Sequence, residues 1–205
     1  MTASNRIVLS SDHTAIQLRQ VIAAHIAAHG WVAVDIGPTT PESTHYPKHG
    51  EAAARLVASG DCRFGIILCG TGQGMMMAAN KVKGIRCGVC VDTFSARMIR
   101  QHNDANMLSI GVRVVGQGLA LDIVDAFLTA QFEGGRHATR VEMIGALEGL
   151  RRSLLLLGAD AQVFGCHHPT IAATKHITEV LVWMLISIQY RTGISLKNLG
   201  RRPPV

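Results

Sequence analysis

Short apolar runs alternate with amphipathic stretches along this chain. Residues 6–11, with Ile7-Val8-Leu9 at their centre, read as a strand, and residues 15–28 place apolar side chains at helical spacing before Gly30. Residues 31–36 form a second strand pattern, closed by Gly37-Pro38. The polar stretch 39–48 contains two further prolines, Pro41 and Pro47, and reads as a loop long enough to touch a ligand. A helical pattern over 51–58 precedes a third, apolar strand at 64–68. Helix and strand then alternate through 75–83, 85–91, 94–101 and 107–111, and amphipathic helices follow at 119–131 and 141–152. This alternation predicts an α/β, three-layer Rossmann-like fold: a five-stranded parallel sheet with helices on both faces.

In such sheets ligands sit at the carboxyl ends of the strands. Asp12, His13, Asp92, Arg113 and the run Cys69-Gly70-Thr71-Gly72-Gln73-Gly74 all fall there. The run sets a thiol beside free backbone N–H groups and the positive end of a helix. A thiol so placed can be a base or a nucleophile, and the N–H groups can hold a phosphate or a developing oxyanion. A lone cysteine ending a core strand is more often simple packing. The glycine turn after it is what separates the two readings.

Composition narrows the class. A chain of 205 residues with 48% apolar content can bury a real core and is not a disordered chain. The net charge of +6 could suggest nucleic acid, yet the basic residues are scattered and few aromatics lie between them. Lys175, Arg191, Lys197, Arg201 and Arg202 meet only Asp160 and Glu179 after residue 152, so half of the excess belongs to the tail. Nucleic-acid binding is therefore not expected, whereas a phosphorylated small molecule suits a basic surface. No apolar run reaches membrane-spanning length, and residues 7–9 are too short for a secretory core. Five cysteines, odd in number and irregular in spacing, read as the reduced thiols of a cytoplasmic protein. Cys87 and Cys90 mimic a redox pair, but inside a strand two residues three apart point to opposite faces.

Six segments in this order carry a resemblance. They are Ser11-Asp12-His13, Thr44-His45-Tyr46-Pro47, the 69–74 run with the 78–86 segment, and Arg100-Gln101-His102-Asn103-Asp104-Ala105-Asn106. Gly111-Val112-Arg113-Val114-Val115-Gly116 and Phe132-Glu133-Gly134-Gly135-Arg136-His137 with Arg140 complete the set. Together, over about residues 5–150, they resemble the type B ribose-5-phosphate isomerases, whose wider family includes isomerases of allose and galactose phosphates. The resemblance implies an aldose–ketose isomerase working through a cis-enediolate, with no cofactor and no metal. It implies Cys69 as the base, Gly70, Gly72 and Gly74 as the oxyanion-holding turn, and Thr71 as a proton relay. His102 would open the sugar ring; Asp12, Tyr46 and Asn103 would hold the sugar. His13, Arg113, His137 and Arg140, assisted by Arg136, would hold the phosphate, since forked guanidinium donors and imidazoles suit a dianion. A homodimer or dimer of dimers is implied, with the site between subunits.

Two positions depart from the family pattern. An acidic residue is associated with the position of His45, and a second subtype carries a glutamate base at the position of Met75. The methionine places this chain in the thiol subtype, while both positions leave the preferred sugar open. D-ribose 5-phosphate and D-ribulose 5-phosphate are the expected pair; another aldose, phosphorylated or free, is the alternative. A non-catalytic phosphosugar-binding module is a different class with the same residues. A dinucleotide oxidoreductase fits the architecture superficially but is not expected, because the first strand–helix turn lacks a glycine fingerprint. Residues 1–152 are expected to form the isomerase domain and 153–205 an extension of unassigned role. Its apolar stretch at 177–190 is suited to packing on a neighbouring subunit.

Overall fold

The computed structural model of the chain describes residues 5–156. Five parallel strands form one sheet: β1 (Arg6–Ser11), β2 (Val32–Asp35), β3 (Phe64–Cys69), β4 (Cys87–Val89) and β5 (Met107–Gly111), in the order β2-β1-β3-β5-β4. Six helices connect or follow them: α1 (Ile16–Ala28), α2 (Tyr46–Ala58), α3 (Gln73–Ala79), α4 (Thr93–Asn103), α5 (Gln117–Thr129) and α6 (Arg136–Leu156). Strand alternation sorts the core into two layers. Ile7, Leu9, Ile66, Leu68, Leu108 and Ile110 pack against α1, α4 and α5, whereas Val8, Ile67, Cys69 and Met107 pack against α2 and α3. Central β3 is buried along its whole length, as a strand covered on both faces must be. The three-layer α/β architecture is thus the one the alternation predicts.

Element boundaries differ from the expected ones where a local device intervenes. Helix α2 begins at Tyr46 rather than 51, because Pro47 occupies the first turn, where its missing N–H has no partner to lose. Helix α3 stops at Ala79 rather than 83: the Asn80 side chain bonds both the N–H and the carbonyl of Cys87, at 2.9 and 2.8 Å, tying the chain to β4. Helix α6 begins at Arg136 rather than 141, after Gly134 and Gly135 turn the backbone with φ of +64° and +54°. Arg136, His137 and Arg140 therefore stand on the first turns of a helix. A single 3-10 turn, His13–Ala15, links β1 to α1 under an Asp12 cap. The extension beyond residue 156, with its stretch at 177–190, lies outside the described residues.

Candidate active site

The carboxyl edge of the sheet gathers one group of the expected residues. Cys69 ends β3, 5% exposed, and its Sγ accepts the N–H of Gly72 at 3.1 Å. Gly72 holds φ +80° as the residue before α3, a conformation that favours glycine. Ser109 Oγ donates to the Gly72 carbonyl at 2.7 Å from within the core of β5, fixing the turn from beneath. The next strand supports it as well: Val112 and Arg113 donate their N–H groups to the carbonyls of Cys69 and Gly70, both at 3.0 Å. The turn is thus locked by backbone bonds on one side, with Thr71 exposed at its tip.

The remaining members of this group crowd the same turn. A Cβ placed on Gly70 would stand 3.6–3.7 Å from Arg113 Cδ, Nε and Cζ, so the guanidinium lies across the turn. A Cβ on Gly74 would meet the Tyr46 ring at 2.6 Å, which sets that ring against the start of α3. Asp12 spends its Oδ1 on the N–H and hydroxyl of Thr14, at 2.9 and 2.6 Å. Among the described residues, its Oδ2 takes no hydrogen bond. Thr44 donates its N–H to His13 Nδ1 at 3.4 Å, bringing the 39–48 loop to the site and leaving Nε2–H as the free donor of that ring. Behind them Arg19, 1% exposed, binds Asp35 at 2.8 Å, the Pro38 carbonyl at 2.8 Å and the Ser11 hydroxyl. This buried cation fixes the loop after β2 to the end of β1, next to Asp12.

A second group forms at the other edge. His102 and Asn103 end α4, and the Asn103 and Asp104 carbonyls accept from Arg86 Nε at 3.0 and 2.9 Å, just before β4 begins. Glu133 donates its N–H to the Gln101 carbonyl at 3.0 Å, which docks the start of α6 on the end of α4. The His102 and His137 rings stack at 4.2 Å, 3° from parallel. Glu133 Oε2 lies 3.8 Å from His102 Nε2 and 3.9 Å from His137 Nε2. Arg136 Nε donates to His137 Nε2 at 3.4 Å. Burial holds the His137 pKa below the ordinary 6.5, and the His102, Arg136 and Arg140 charges push it the same way while Glu133 opposes them.

Chain topology separates the two groups. Each helix that follows a strand runs back toward the amino edge, so the end of α4 lies beside the starts of β4 and β5. Cys69 and Gly111 lie at the far ends of β3 and β5. Roughly 15 Å of sheet separates the edges at ~3.3 Å per residue. Among the described residues no hydrogen bond or ion pair joins the groups. Asp12, His13, Tyr46, Cys69, Gly70, Thr71, Gly72, Gly74 and Arg113 are brought together; His102, Asn103, Arg136, His137 and Arg140 form a set of their own.

Other expectations resolve locally. Cys87 packs in the α2/α3 layer and Cys90 in the opposite one, so the two thiols point apart. Burial drives the Cys87 pKa far up and pushes Cys90 up to about 11, leaving both as inert thiols. His45 is exposed and makes no side-chain cap to α2. Met75 is fully buried in the core beneath the turn. Arg19, Ser109 and Glu133 were not singled out by sequence. Arg19 and Ser109 act from the core, where neither spacing nor motif marks them, whereas Glu133 lies inside the 132–137 segment. Among the described residues, two clusters place three potential metal ligands within 4.8 Å: His102, Glu133 and His137 in the second group, and His25, His29 and Asp125 between α1 and α5. No described helix is long and apolar enough to cross a membrane.

Comparison with known proteins agrees with this fold. The model of the ribose/galactose isomerase family matches residues 7–144. Ribose-5-phosphate isomerase B of Escherichia coli is 47% identical over 146 residues, covering 71% of this chain and 98% of that protein. A D-erythrulose-4-phosphate isomerase of Pectobacterium atrosepticum is 41% identical over 143 residues, 69% of this chain and 94% of the relative. The structure of Clostridium thermocellum ribose-5-phosphate isomerase B superimposes with a TM-score of 0.70 at 50% identity, over 71% of this chain and 99% of that one. The sheet, the glycine turn and these likenesses converge: the chain belongs to the ribose/galactose isomerase family and is an aldose–ketose isomerase.

Proposed function

We propose that the enzyme interconverts D-ribose 5-phosphate and D-ribulose 5-phosphate through a cis-enediolate, with Cys69 as the base. The observation that carries this reading is the Cys69 sulfur, held by the Gly72 N–H inside a glycine turn at the carboxyl edge. Cys69 removes the C2 proton of the open aldose and returns it to C1. Negative charge then develops on O1 and O2, where the backbone N–H groups of the turn stabilise it. Thr71, exposed at the tip, moves the hydroxyl proton between those oxygens. Asp12 Oδ2 and Tyr46 bind sugar hydroxyls, and His13 with Arg113 binds the phosphate.

Ring opening is assigned to His102, which requires a second copy of the chain. A proton-transferring group must come within about 2.6–3.2 Å of the atom it serves. The sheet keeps His102 far from Cys69 of its own chain. A homodimer with sites at the interface brings His102, Asn103, Arg136, His137 and Arg140 of one copy to the glycine turn of the other. Met143, Ile144 and Leu147 on α6, each at least 43% exposed, give such a dimer apolar surface to cover.

A second reading keeps the chemistry and changes the sugar. It is favoured by the relative named for a four-carbon phosphate and by His45 beside Tyr46. Turnover of ribose 5-phosphate, allose 6-phosphate, erythrose 4-phosphate and free ribose by the purified enzyme decides between them. Ribose 5-phosphate should be the preferred substrate, and free ribose should be poor. Equal rates with and without phosphate would remove His13, Arg113, His137 and Arg140 from their roles. Exchange of substrate C–H with heavy water that persists in Cys69→Ala would remove Cys69 from its own.

A further inference from the structure

Glu133 occupies a position with chemical consequences for the ring-opening step. Its carboxylate faces two stacked imidazoles almost equally, 3.8 Å from His102 Nε2 and 3.9 Å from His137 Nε2. The neighbouring arginine breaks this symmetry. Arg136 Nε donates to His137 Nε2, so that nitrogen presents a lone pair and cannot also donate to Glu133. Of the two rings, only His102 can then turn a donor toward Glu133. With its Nε2–H turned toward Glu133 Oε2, 3.8 Å away, His102 would meet a substrate through Nδ1.

Charge points the same way. The rings stack at 4.2 Å with the Arg136 guanidinium on His137 Nε2, so positive charge already lies on the His137 side. The Glu133 carboxylate, 3.8 Å from His102 Nε2, is the counter-charge at hand when that ring takes up a proton. The side chain is also placed to serve rather than to build the fold. Glu133 is about half exposed, and its backbone N–H on the Gln101 carbonyl keeps the loop docked whatever the side chain.

We infer that Glu133 is a positioning residue for His102: it holds the ring with Nε2–H toward itself and Nδ1 toward the sugar, and it stabilises the imidazolium formed in ring opening. The inference rests on the ring-opening role given to His102 above. The step is balanced within the enzyme: Nδ1 takes the proton from the O1 hydroxyl, the C1–O4 bond breaks with its electrons going to O4, and the same proton is delivered to O4. Nothing is oxidised or reduced. A carboxylate behind a proton-transferring imidazole fixes the tautomer without itself being protonated.

The test exploits a difference between the two sugars. Ribose 5-phosphate closes a ring through O4 and must be opened. Ribulose 5-phosphate, whose O5 is esterified, cannot close the five-membered ring and reaches Cys69 already open. Two rates are measured for the wild type, Glu133→Gln and Glu133→Ala: net conversion of ribose 5-phosphate, and exchange of the C1 proton of ribulose 5-phosphate in heavy water. Both variants should lose about 10- to 100-fold in conversion, the loss typical when the outer partner that orients a metal-binding histidine is removed. Exchange should stay within about twofold, since general acid–base help at the ring oxygen is not used there. Parallel losses in both rates, or a raised KM for both sugars, would assign Glu133 to phosphate binding or folding and overturn the inference. Unchanged conversion in both variants would overturn it as well. Those outcomes leave the isomerase reading intact. Wild-type enzyme inert toward both pentose phosphates would instead overturn that reading, and this inference with it.

Discussion

Gly111→Ala tests whether the glycine turn must sit where it does. Gly111 ends β5 directly under the turn, and a Cβ there would stand 2.6 Å from the Thr71 carbonyl carbon and 2.7 Å from its oxygen. Ordinary contact begins near 3.4 Å, so the turn must move by 3.4 − 2.6, about 0.8 Å. No flexible side chain can absorb this, because the obstructing atoms are backbone. The turn is also held by the Gly72 N–H on Cys69 and by Ser109 on the Gly72 carbonyl, and these bonds resist the shift. Overpacking of this kind costs about 1–3 kcal/mol. In a chain of this length that lowers the melting temperature by about 2–4 °C for each kcal/mol. Moving the N–H donors and Cys69 relative to each other by nearly 1 Å should lower kcat about 100-fold. Calorimetry and saturating turnover of ribose 5-phosphate measure the two effects. Gly118→Ala is the control, since a Cβ there meets nothing within 4 Å and alanine suits the start of α5. Wild-type turnover and melting in Gly111→Ala would refute the claim that a fixed turn carries the chemistry.

Two further outcomes follow from the split site and its histidines. Cys69→Ala and His102→Ala, each inactive alone on ribose 5-phosphate, should regain activity when unfolded together and refolded. Half the dimers are then mixed and each holds one intact site of two, so recovery should approach about a quarter of wild type; no recovery would argue that both residues act within one chain. Because His137 has a pKa below 6.5 in the fold, the unfolded chain binds more protons as pH falls below that value. Thermal stability should therefore drop as pH falls from 7 through 6.5 toward the depressed folded value. His137→Asn should flatten that slope, and an unchanged slope would remove His137 as its source.

The fold was legible because the sheet is covered on both faces. Buried strands such as 64–69 then read as unbroken apolar runs, and the amphipathic stretches between them have nowhere to pack but on the sheet. Helix starts were less legible for a specific reason. Pro47 and the Gly134-Gly135 pair read as loop chemistry, yet each stands at the first turn of a helix or just before it, where such residues are tolerated or required. The loop that seemed to run to residue 48 is in part the start of α2, and it carries Tyr46 to the turn on a rigid element. Arg19 could not be read at all. A basic residue on an amphipathic helix is expected on the wet face, and only the end of β2 and the loop after it, brought back by sheet pairing at Val32–Asp35, supply the Asp35 and Pro38 partners that let it be buried.

The division of the site, by contrast, was implicit in the chain order. In a parallel sheet with helical crossovers, whatever follows a strand directly lies at the carboxyl edge, and whatever ends the next helix lies at the amino edge. Asp12, Cys69 and Arg113 are of the first kind; His102, Asn103 and the 133–140 segment are of the second. A ring-opening histidine at the end of α4 and a thiol at the end of β3 cannot serve one sugar within one such layer. If both proposed roles hold, the topology therefore calls for a second copy of the chain. The one element that could have undone this is a long excursion carrying His102 back across the sheet, and none exists: only Asp104–Asn106 separate the end of α4 from β5, and Arg86 binds the Asn103 and Asp104 carbonyls at the amino edge.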